Sequence, residues 1–255
     1  MELSVIVPAY REGPRIYGNL QRLLSELEQL SMDYEVILVS DGNTDNTESE
    51  ARRLASPRLK VVAYTVNMGK GYALGYGVRE STGDLVTFID ADMELHPRDI
   101  KPFIQVMKSG NYDIVVGSKH HPQSKVSYPW FRRLQSRVYQ LVIKVLFNLD
   151  VSDTQTGHKL LRREVVADVV PLLAVKRFAF DLELLVVAHK LGYRRIAEAP
   201  IELSFQFEST VRPQTVFEIL WDTAAIFYRL RITRYYDRRR AELARSKPSA
   251  VPRSE

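Results

Sequence analysis

The first half of the chain alternates short, continuously apolar runs with longer segments in which apolar residues recur every three or four positions. The short runs predict buried strands, and the longer segments predict amphipathic helices. We predict strands at Leu3–Val7, Tyr34–Val39, Leu59–Tyr64, Leu85–Asp90 and Asp113–Gly117. We predict helices at Arg15–Leu30, from Thr44 or Asp45 to Ala55, at Lys70–Ser81 and at Arg98–Ser109. This alternation is typical of an α/β protein whose mainly parallel central sheet is covered by helices on both faces.

The second half of the chain follows a less regular pattern. Apolar residues at helical spacing predict helices at Arg132–Asn148 and Phe180–Leu191, and a longer helix from Val216 to about Tyr236. The segment Arg195–Phe207 predicts one or two strands. Beyond residue 236 the chain becomes polar and basic, so we expect a disordered tail over residues 237–255.

Charge and cysteine content narrow the functional classes. The net charge is +5, and the segment from Ile114 to Leu149 contains six lysines and arginines but no acidic residue. Such a segment suits anionic partners such as phosphates or acidic lipids, or it forms a solvated basic face. The absence of cysteine excludes disulfides and thiolate metal sites. We find no nucleic-acid recognition module and expect no nucleic-acid partner.

Carboxylates cluster at the end of the fourth predicted strand. Asp90 and Asp92 are separated only by Ala91, and Glu94 follows two residues later. Two carboxylates this close repel each other unless a cation lies between them, and Mg²⁺ and Mn²⁺ prefer such hard oxygen ligands. These ions complete their coordination with substrate phosphate oxygens. The pattern therefore favours a diphosphate-bearing substrate, although ordinary surface turns contain the same short motif.

Polar residues also follow the other predicted strands. Tyr10 and Glu12 follow the first strand, Asp41 follows the second, and Lys70 lies in a glycine-rich stretch after the third. Parallel strands present their carboxyl ends at one edge of a sheet, where ligands bind in such folds. We therefore expect these side chains to gather there, with Lys70 placed to meet a phosphate.

Five segments taken together resemble the family 2 glycosyltransferases: VPAYRE, EVILVSDGNTDNT, NMGKGYAL, TGDLVTFIDADMELHP and DTQTGHKLLRREV. More narrowly, they resemble the dolichol- or polyprenyl-phosphate mannose and glucose synthases over residues from about 3 to 210. The resemblance implies a GT-A nucleotide-diphosphosugar transferase fold over residues 1–212. Its nucleotide-sugar half would span about 1–118 and its acceptor half about 119–212, followed by a C-terminal amphipathic helix over 213–236.

The resemblance also implies roles for individual residues. The residues implied to bind the nucleotide sugar are Pro8, Tyr10, Glu12, Val39, Asp41, Lys70, Ala91, Lys119 and Arg212. The implied ligands of a Mg²⁺ or Mn²⁺ cofactor are Asp90, Asp92 and Glu94. The carboxylate of Asp41 would accept N–H groups of uracil or guanine. The chain departs from the family at Ser40, where relatives usually carry an aspartate.

The segment Asp153–Lys159 resembles the acceptor-side motif of the same enzymes. The resemblance implies that Asp153 and Lys159 act with Asp92 in catalysis, and that Lys159 binds the acceptor phosphate, with help from an arginine at 132, 133 or 137. Alternatively, Asp153 simply caps a turn. Asp181, in a further family-like segment, would support a lysine, position the acceptor or cap a helix.

The expected activity is metal-dependent, inverting transfer of a hexose from a donor of the GDP-mannose or UDP-glucose type to a polyprenyl or dolichyl monophosphate. This acceptor is already an anionic nucleophile, so it needs positioning more than a strong base. Two alternatives stay open. One is a family 2 transferase that acts on a soluble or polysaccharide acceptor, and the other is a non-catalytic nucleotide-binding module.

The sequence also carries expectations about location. The N-terminus lacks the features of a secretory leader, and no run approaches the roughly 18 apolar residues of a membrane span. We therefore expect a cytoplasmic protein. Aromatic and basic residues within 128–148 and 216–236 suit peripheral contact with an anionic membrane at its cytoplasmic face, or packing against the domain or in a dimer. The oligomeric state stays open.

Overall fold

The computed structural model describes residues 1–42, 44–125, 130–175, 179–202 and 213–246. Its centre is a seven-stranded sheet in the order β3-β2-β1-β4-β6-β5-β7. The strands are β1 Leu3–Ala9, β2 Tyr34–Asp41, β3 Leu59–Tyr64, β4 Leu85–Phe88, β5 Ile114–Ser118, β6 Lys159–Arg162 and β7 Ile196–Pro200. β6 runs antiparallel to β4 and β5, whereas the other pairings are parallel. The prediction of a mainly parallel sheet is confirmed.

Helices follow most strands and cover both faces of the sheet. They are α1 Gly13–Leu27, α2 Thr47–Arg52, α3 Lys70–Glu80, α4 Ile100–Gly110, α5 Trp130–Phe147, α6 Arg163–Val169, α7 Phe180–Leu191, α8 Pro213–Phe227 and α9 Tyr235–Ser246. A π-helical turn over Tyr228–Ile232 continues α8. Short 3₁₀ turns occur at Pro97–Asp99 and Val170–Leu172. All four helices predicted in the first half are present, with ends shifted by a few residues.

Alternation along β1 shows how the core is divided between the two faces. Leu3, Val5 and Val7 join the core that contains the apolar face of α1, while Ile6 joins the core on the other side. Successive side chains of a strand point to opposite faces, so a continuously apolar strand is buried twice. On the second face, a Cβ added at Gly77 of α3 would lie 2.3 Å from Ile6, which shows how closely this helix approaches the sheet.

The sequence pattern did not identify β6 and α6 as separate elements. β6 has only four residues, and it begins with a lysine whose side chain is completely buried. A charged residue at such a position interrupts the apolar run from which a buried strand is predicted. The charge of Lys159 is accommodated by an ion pair with Asp181, whose carboxylate lies 2.6 Å from the ammonium.

The C-terminal segment corrects the expectation of a disordered tail. Residues 237–246 belong to α9, and 247–255 lie outside the described residues. The ring of Tyr236 is buried and its hydroxyl donates to Glu183 of α7 at 2.6 Å. Lys190 forms an ion pair with Asp237 at 2.8 Å. These anchors hold a helix whose polar composition alone suggested disorder. Among the described residues, no helix combines the length and apolar character that crossing a membrane requires.

Candidate active site

A cavity of about 790 Å³ opens at the carboxyl edge of the sheet, beyond β1, β2 and β4. It brings together nine of the predicted site residues: Pro8, Tyr10, Glu12, Asp41, Lys70, Asp90, Ala91, Asp92 and Lys119. Parallel strands explain this convergence, because β1 pairs with both β2 and β4 and all three end on the same side. We call this space the donor cavity.

The two neighbouring aspartates face the donor cavity from the turn after β4. The carboxylate of Asp90 lies 2.6 Å from the ammonium of Lys70, and Asp92 accepts a hydrogen bond from the backbone N–H of Glu94 at 3.1 Å. Burial, together with the nearby charge of Asp90, raises the pKa of Asp92 above its ordinary value. The site therefore carries concentrated negative charge that a cation would relieve.

The donor set fits a divalent metal through two residues rather than three. Glu94 is exposed and does not line the donor cavity. Within the described ranges, no three aspartate, glutamate or histidine side chains are grouped as a metal site would need. Mg²⁺ commonly takes one or two protein carboxylates and leaves its other positions to substrate phosphates and water. Asp90 and Asp92 meet that requirement.

Asp41 shapes the turn that presents Lys70. Its two carboxylate oxygens accept the backbone N–H groups of Met68, at 2.7 Å, and Gly69, at 2.9 Å. Gly69 has a φ of 91°, in the left-handed region that favours glycine, and α3 begins at the next residue. A carboxylate offers about four acceptor positions, so Asp41 can still receive an N–H group from a nucleobase. By contrast, Val39 is fully buried in the core and does not line the cavity.

Lys159, which the resemblance assigned to the acceptor phosphate, is completely buried and does not line the donor cavity. Its ammonium lies 2.6 Å from Asp181 and also donates to the backbone carbonyl of Thr156. Burial lowers the pKa of Lys159, and the charge of Asp181 opposes that shift. The described geometry thus corrects the expectation of direct contact with a ligand, because the ammonium is enclosed by protein partners.

Asp153 is also buried, and it stabilises a turn. It accepts the backbone N–H groups of Gln155 and Lys119, both at 3.2 Å, and lies 3.8 Å from the ammonium of Lys119. These contacts agree with the alternative that Asp153 caps a turn. Its neighbour Lys119 lines the donor cavity.

Several cavity residues were not among the predicted site residues. They are Ala9, Gln155, Gly157 and Ile219. Asp181 also lines the cavity; it was expected to support a lysine, position the acceptor or cap a helix, and its carboxylate lies 2.6 Å from the ammonium of Lys159. Gly157 lies within the motif at 153–165, but its role depends on a close approach that no sequence pattern shows. A Cβ at this position would lie 2.6 Å from an oxygen of Asp90. Ile219 shows that α8 contributes to the cavity wall.

Three predicted arginines are not placed by these observations. Arg212 lies outside the described residues, and so do the side chains of Arg132 and Arg133. Arg137 is exposed and lines a separate surface groove with Lys144 and Glu198.

The chain matches the profile of glycosyl transferase family 2 over residues 4–170. It is 30% identical over 206 residues to a glycosyltransferase of Haloferax volcanii, covering 79% of this chain and 33% of that protein. It is 31% identical over 228 residues to a dolichol-phosphate mannosyltransferase of Pyrococcus furiosus, covering 86% and 62%. A dolichyl-phosphate beta-glucosyltransferase of Trichomonas vaginalis is 30% identical over 253 residues, covering 93% and 77%. The chain thus spans less than two thirds of the length of the first two relatives.

The fold is similar to that of glucosyl-3-phosphoglycerate synthase from Mycobacterium tuberculosis. That structure contains Mn²⁺, uridine diphosphate and phosphoglyceric acid. The TM-score is 0.66 at 21% identity, over 89% of this chain and 78% of the other. This similarity confirms the predicted GT-A fold.

Proposed function

Since the chain belongs to glycosyl transferase family 2, we propose that it transfers a hexose from a nucleotide diphosphate sugar to a polyprenyl or dolichyl monophosphate. The observation that carries this proposal is the donor cavity, which is lined by Asp90 and Asp92 together with two lysines, Lys70 and Lys119. Two relatives carry the names of dolichyl-phosphate sugar transferases, one for mannose and one for glucose. Their names support both the hexose and the lipid phosphate acceptor.

The proposed reaction is a single displacement at the anomeric carbon. An oxygen of the acceptor phosphate forms the new bond to that carbon while its bond to the donor diphosphate breaks. The nucleoside diphosphate leaves with the electron pair, and the configuration at the anomeric carbon inverts. The phosphate oxygen carries its negative charge beforehand, so the protein needs to position it and balance charge rather than remove a proton.

Asp90 and Asp92 would hold Mg²⁺ or Mn²⁺ in this proposal. The metal would supply charge neutralisation for the departing diphosphate, an effect worth several kcal/mol in enzymes of this kind. Lys70 and Lys119 both line the cavity, and their ammonium groups add positive charge there. On the nucleotide side, Pro8, Tyr10 and Glu12 line the cavity next to Asp41 and would receive the nucleotide.

We further propose peripheral contact with an anionic membrane, through a surface formed by α5 and α8. Large apolar side chains are exposed on both helices: Val138, Leu141, Val142 and Val145 on α5, and Leu220 and Trp221 on α8. Arg137 and Lys144 stand on α5 beside them. Apolar and basic side chains together suit an interface with acidic lipid. Sedimentation with anionic but not with neutral vesicles would support this contact, and absence of sedimentation with both would contradict it.

A transfer assay with the purified chain tests the proposed activity. Nucleotide sugars based on UDP and GDP are incubated with a short polyprenyl phosphate and Mn²⁺ or Mg²⁺, and products are identified by mass. We expect a hexosyl polyprenyl phosphate that fails to form in the presence of a metal chelator. Transfer only to a soluble acceptor would refute the lipid acceptor, and a lack of transfer from every donor would refute the activity.

A further inference from the structure

Four charged side chains of alternating sign form a row that leads from the donor cavity into the protein. Asp90 lies 2.6 Å from Lys70, and Lys70 lies 3.9 Å from Asp181. Asp181 in turn lies 2.6 Å from Lys159. The two oxygens of Asp181 are divided between the lysines: Oδ1 faces Lys159 and Oδ2 faces Lys70. One carboxylate therefore links a buried lysine to a lysine on the cavity wall.

The two lysines differ in their freedom to move. The side chain of Lys159 is 0% exposed and is fixed by Asp181 and a backbone carbonyl, whereas that of Lys70 is 30% exposed. The contact of 3.9 Å between Lys70 and Asp181 is an ion pair that is too long for a direct hydrogen bond. A small displacement of the Lys70 ammonium toward Oδ2 of Asp181 would bring the two within hydrogen-bond distance.

Gly157 lets the ion pair of Asp90 and Lys70 lie close against the chain. A Cβ at residue 157 would lie 2.6 Å from Oδ2 of Asp90 and 3.2 Å from the ammonium of Lys70. Any other residue would press on the ion pair from the side. The position of the ion pair therefore depends on a glycine at residue 157.

We propose that Lys70 is the counter-ion of Asp90 in the metal-free protein, and that Asp181 is a positioning residue that receives the Lys70 ammonium when a divalent cation binds Asp90. This inference rests on the proposed function, which assigns Asp90 and Asp92 to the metal. An ammonium and a divalent cation repel each other and compete for the same carboxylate oxygens. The oxygen of Asp181 that faces Lys70 offers the displaced ammonium a partner without a large movement.

The proposal predicts that the free protein binds Mn²⁺ less tightly than its two aspartates alone would allow. Replacing Lys70 by methionine removes the competing ammonium and keeps an apolar side chain of similar length. We expect the Mn²⁺ affinity of Lys70→Met, measured by electron paramagnetic resonance without nucleotide, to rise about tenfold or more over wild type. This measurement does not depend on enzymatic activity.

The matched control is Lys119→Met, which removes the same charge from the same cavity. The ion pair of Lys119 is with Asp153, at 3.8 Å, rather than with Asp90. We expect its effect on Mn²⁺ affinity to be severalfold smaller than that of Lys70→Met. Equal effects would show that only the total charge of the cavity matters, and they would overturn the counter-ion proposal.

A double-mutant cycle tests the role of Asp181. If Asp181 receives the displaced ammonium, Asp181→Asn should weaken Mn²⁺ binding in the wild-type background and have much less effect in the Lys70→Met background. Equal weakening in both backgrounds would mean that Asp181 acts only through its charge on the metal, and would refute its positioning role. If Asp181→Asn does not fold, the comparison of Lys70→Met with Lys119→Met still decides the counter-ion claim.

A crystal structure with Mn²⁺ provides the direct view. We expect the ammonium of Lys70 to lie within hydrogen-bond distance of Asp181 and to have left Asp90, whereas a retained contact with Asp90 beside the metal would refute the exchange. Failure of the proposed function is distinguishable from failure of this inference. If the Mn²⁺ affinities change as expected but no hexosyl transfer occurs, the proposed function is rejected. If transfer occurs but Lys70→Met and Lys119→Met change the Mn²⁺ affinity equally, the counter-ion proposal is rejected.

Discussion

The two sides of the donor cavity use aspartates in opposite ways. On the side of β4, the side chains of Asp90 and Asp92 reach the cavity wall and remain partly exposed. The other side is formed by residues of the segment 153–181, where Asp153 and Asp181 are nearly buried and each lies beside a lysine. Among these four aspartates, the partly exposed carboxylates of Asp90 and Asp92 can bind a ligand, whereas the nearly buried ones position a lysine. Aspartates in family motifs therefore have different roles on the two sides of the cavity.

The largest expected effect concerns the two partly exposed aspartates, Asp90 and Asp92. Asp92→Asn should reduce hexosyl transfer by roughly 100- to 1,000-fold, because an amide cannot balance the charge of a divalent cation. The measurement is kcat in the mass-based transfer assay. The control is Asp84→Asn, an exposed aspartate at the other end of the same strand, which should leave kcat unchanged. Similar losses in both variants would contradict a specific metal role for Asp92.

Substitution of the buried aspartate Asp181 should lower the stability of the protein. Asp181→Asn leaves the fully buried ammonium of Lys159 without its carboxylate, so the free energy of unfolding should fall by about 3 kcal/mol. Urea unfolding measures this loss. Adding Lys159→Met should restore most of it, because the unpaired charge is removed and a side chain of similar size stays in the core.

An exposed ion pair with the same distance between its charged groups serves as the control for that prediction. Asp150 lies 2.6 Å from Lys144, and its side chain is 88% exposed. Asp150→Asn should change the free energy of unfolding by less than about 1 kcal/mol, since exposed ion pairs contribute little. An Asp181→Asn variant as stable as Asp150→Asn would break the comparison between buried and exposed aspartates.

A further expected effect on stability concerns a buried aspartate whose direct partner is not a lysine. Asp99 accepts the backbone N–H of Glu202 at 3.0 Å, and burial raises the pKa of its carboxyl to about 6. The folded protein then binds this proton more tightly than the unfolded chain, so stability falls as pH rises from the ordinary aspartate pKa through about 6. Asp99→Asn removes that dependence. Because each pKa unit corresponds to about 1.4 kcal/mol, the variant should gain up to about 3 kcal/mol of stability over wild type by neutral pH.

Urea unfolding of wild type and Asp99→Asn from about pH 4 to about pH 7 measures this difference. We expect the advantage of the variant to grow with pH and to level off above about 7, where the carboxyl is ionised in both states. A constant difference across the range would contradict the raised pKa of Asp99.

The sequence predicted the β4 side of the cavity better than the opposite side, for a physical reason. Asp41, Asp90 and Asp92 follow apolar strands, and parallel pairing is sufficient to bring strand ends together. Their placement therefore follows from periodicity. Val39 was assigned to the nucleotide only by resemblance, and its position inside an apolar strand leaves its side chain in the core.

The opposite side depends on contacts between residues that are distant in the chain. Asp181 and Lys159 are 22 residues apart. The sequence suggested that Asp181 supports a lysine, but nothing in the two separate motifs identifies Lys159 as that lysine. The two residues come together because β6, which begins at Lys159, lies between β4 and β5 in the sheet. β6 was not predicted because a lysine interrupts the apolar run at its first residue. Likewise, α9 is held by the contact of Tyr236 with Glu183, 53 residues away. Such partners emerge only from the tertiary fold.

Calorimetric titration of the nucleotide tests the central claim most directly. UDP and GDP are titrated into wild type, Asp92→Asn and Asp84→Asn, each with and without Mn²⁺. We predict that one nucleotide binds wild type and Asp84→Asn tightly only with Mn²⁺, and that Asp92→Asn loses this dependence on metal. Nucleotide binding that is equally tight without Mn²⁺, or unaffected by the change at Asp92, would contradict the assignment of the carboxylate pair to a metal–diphosphate site.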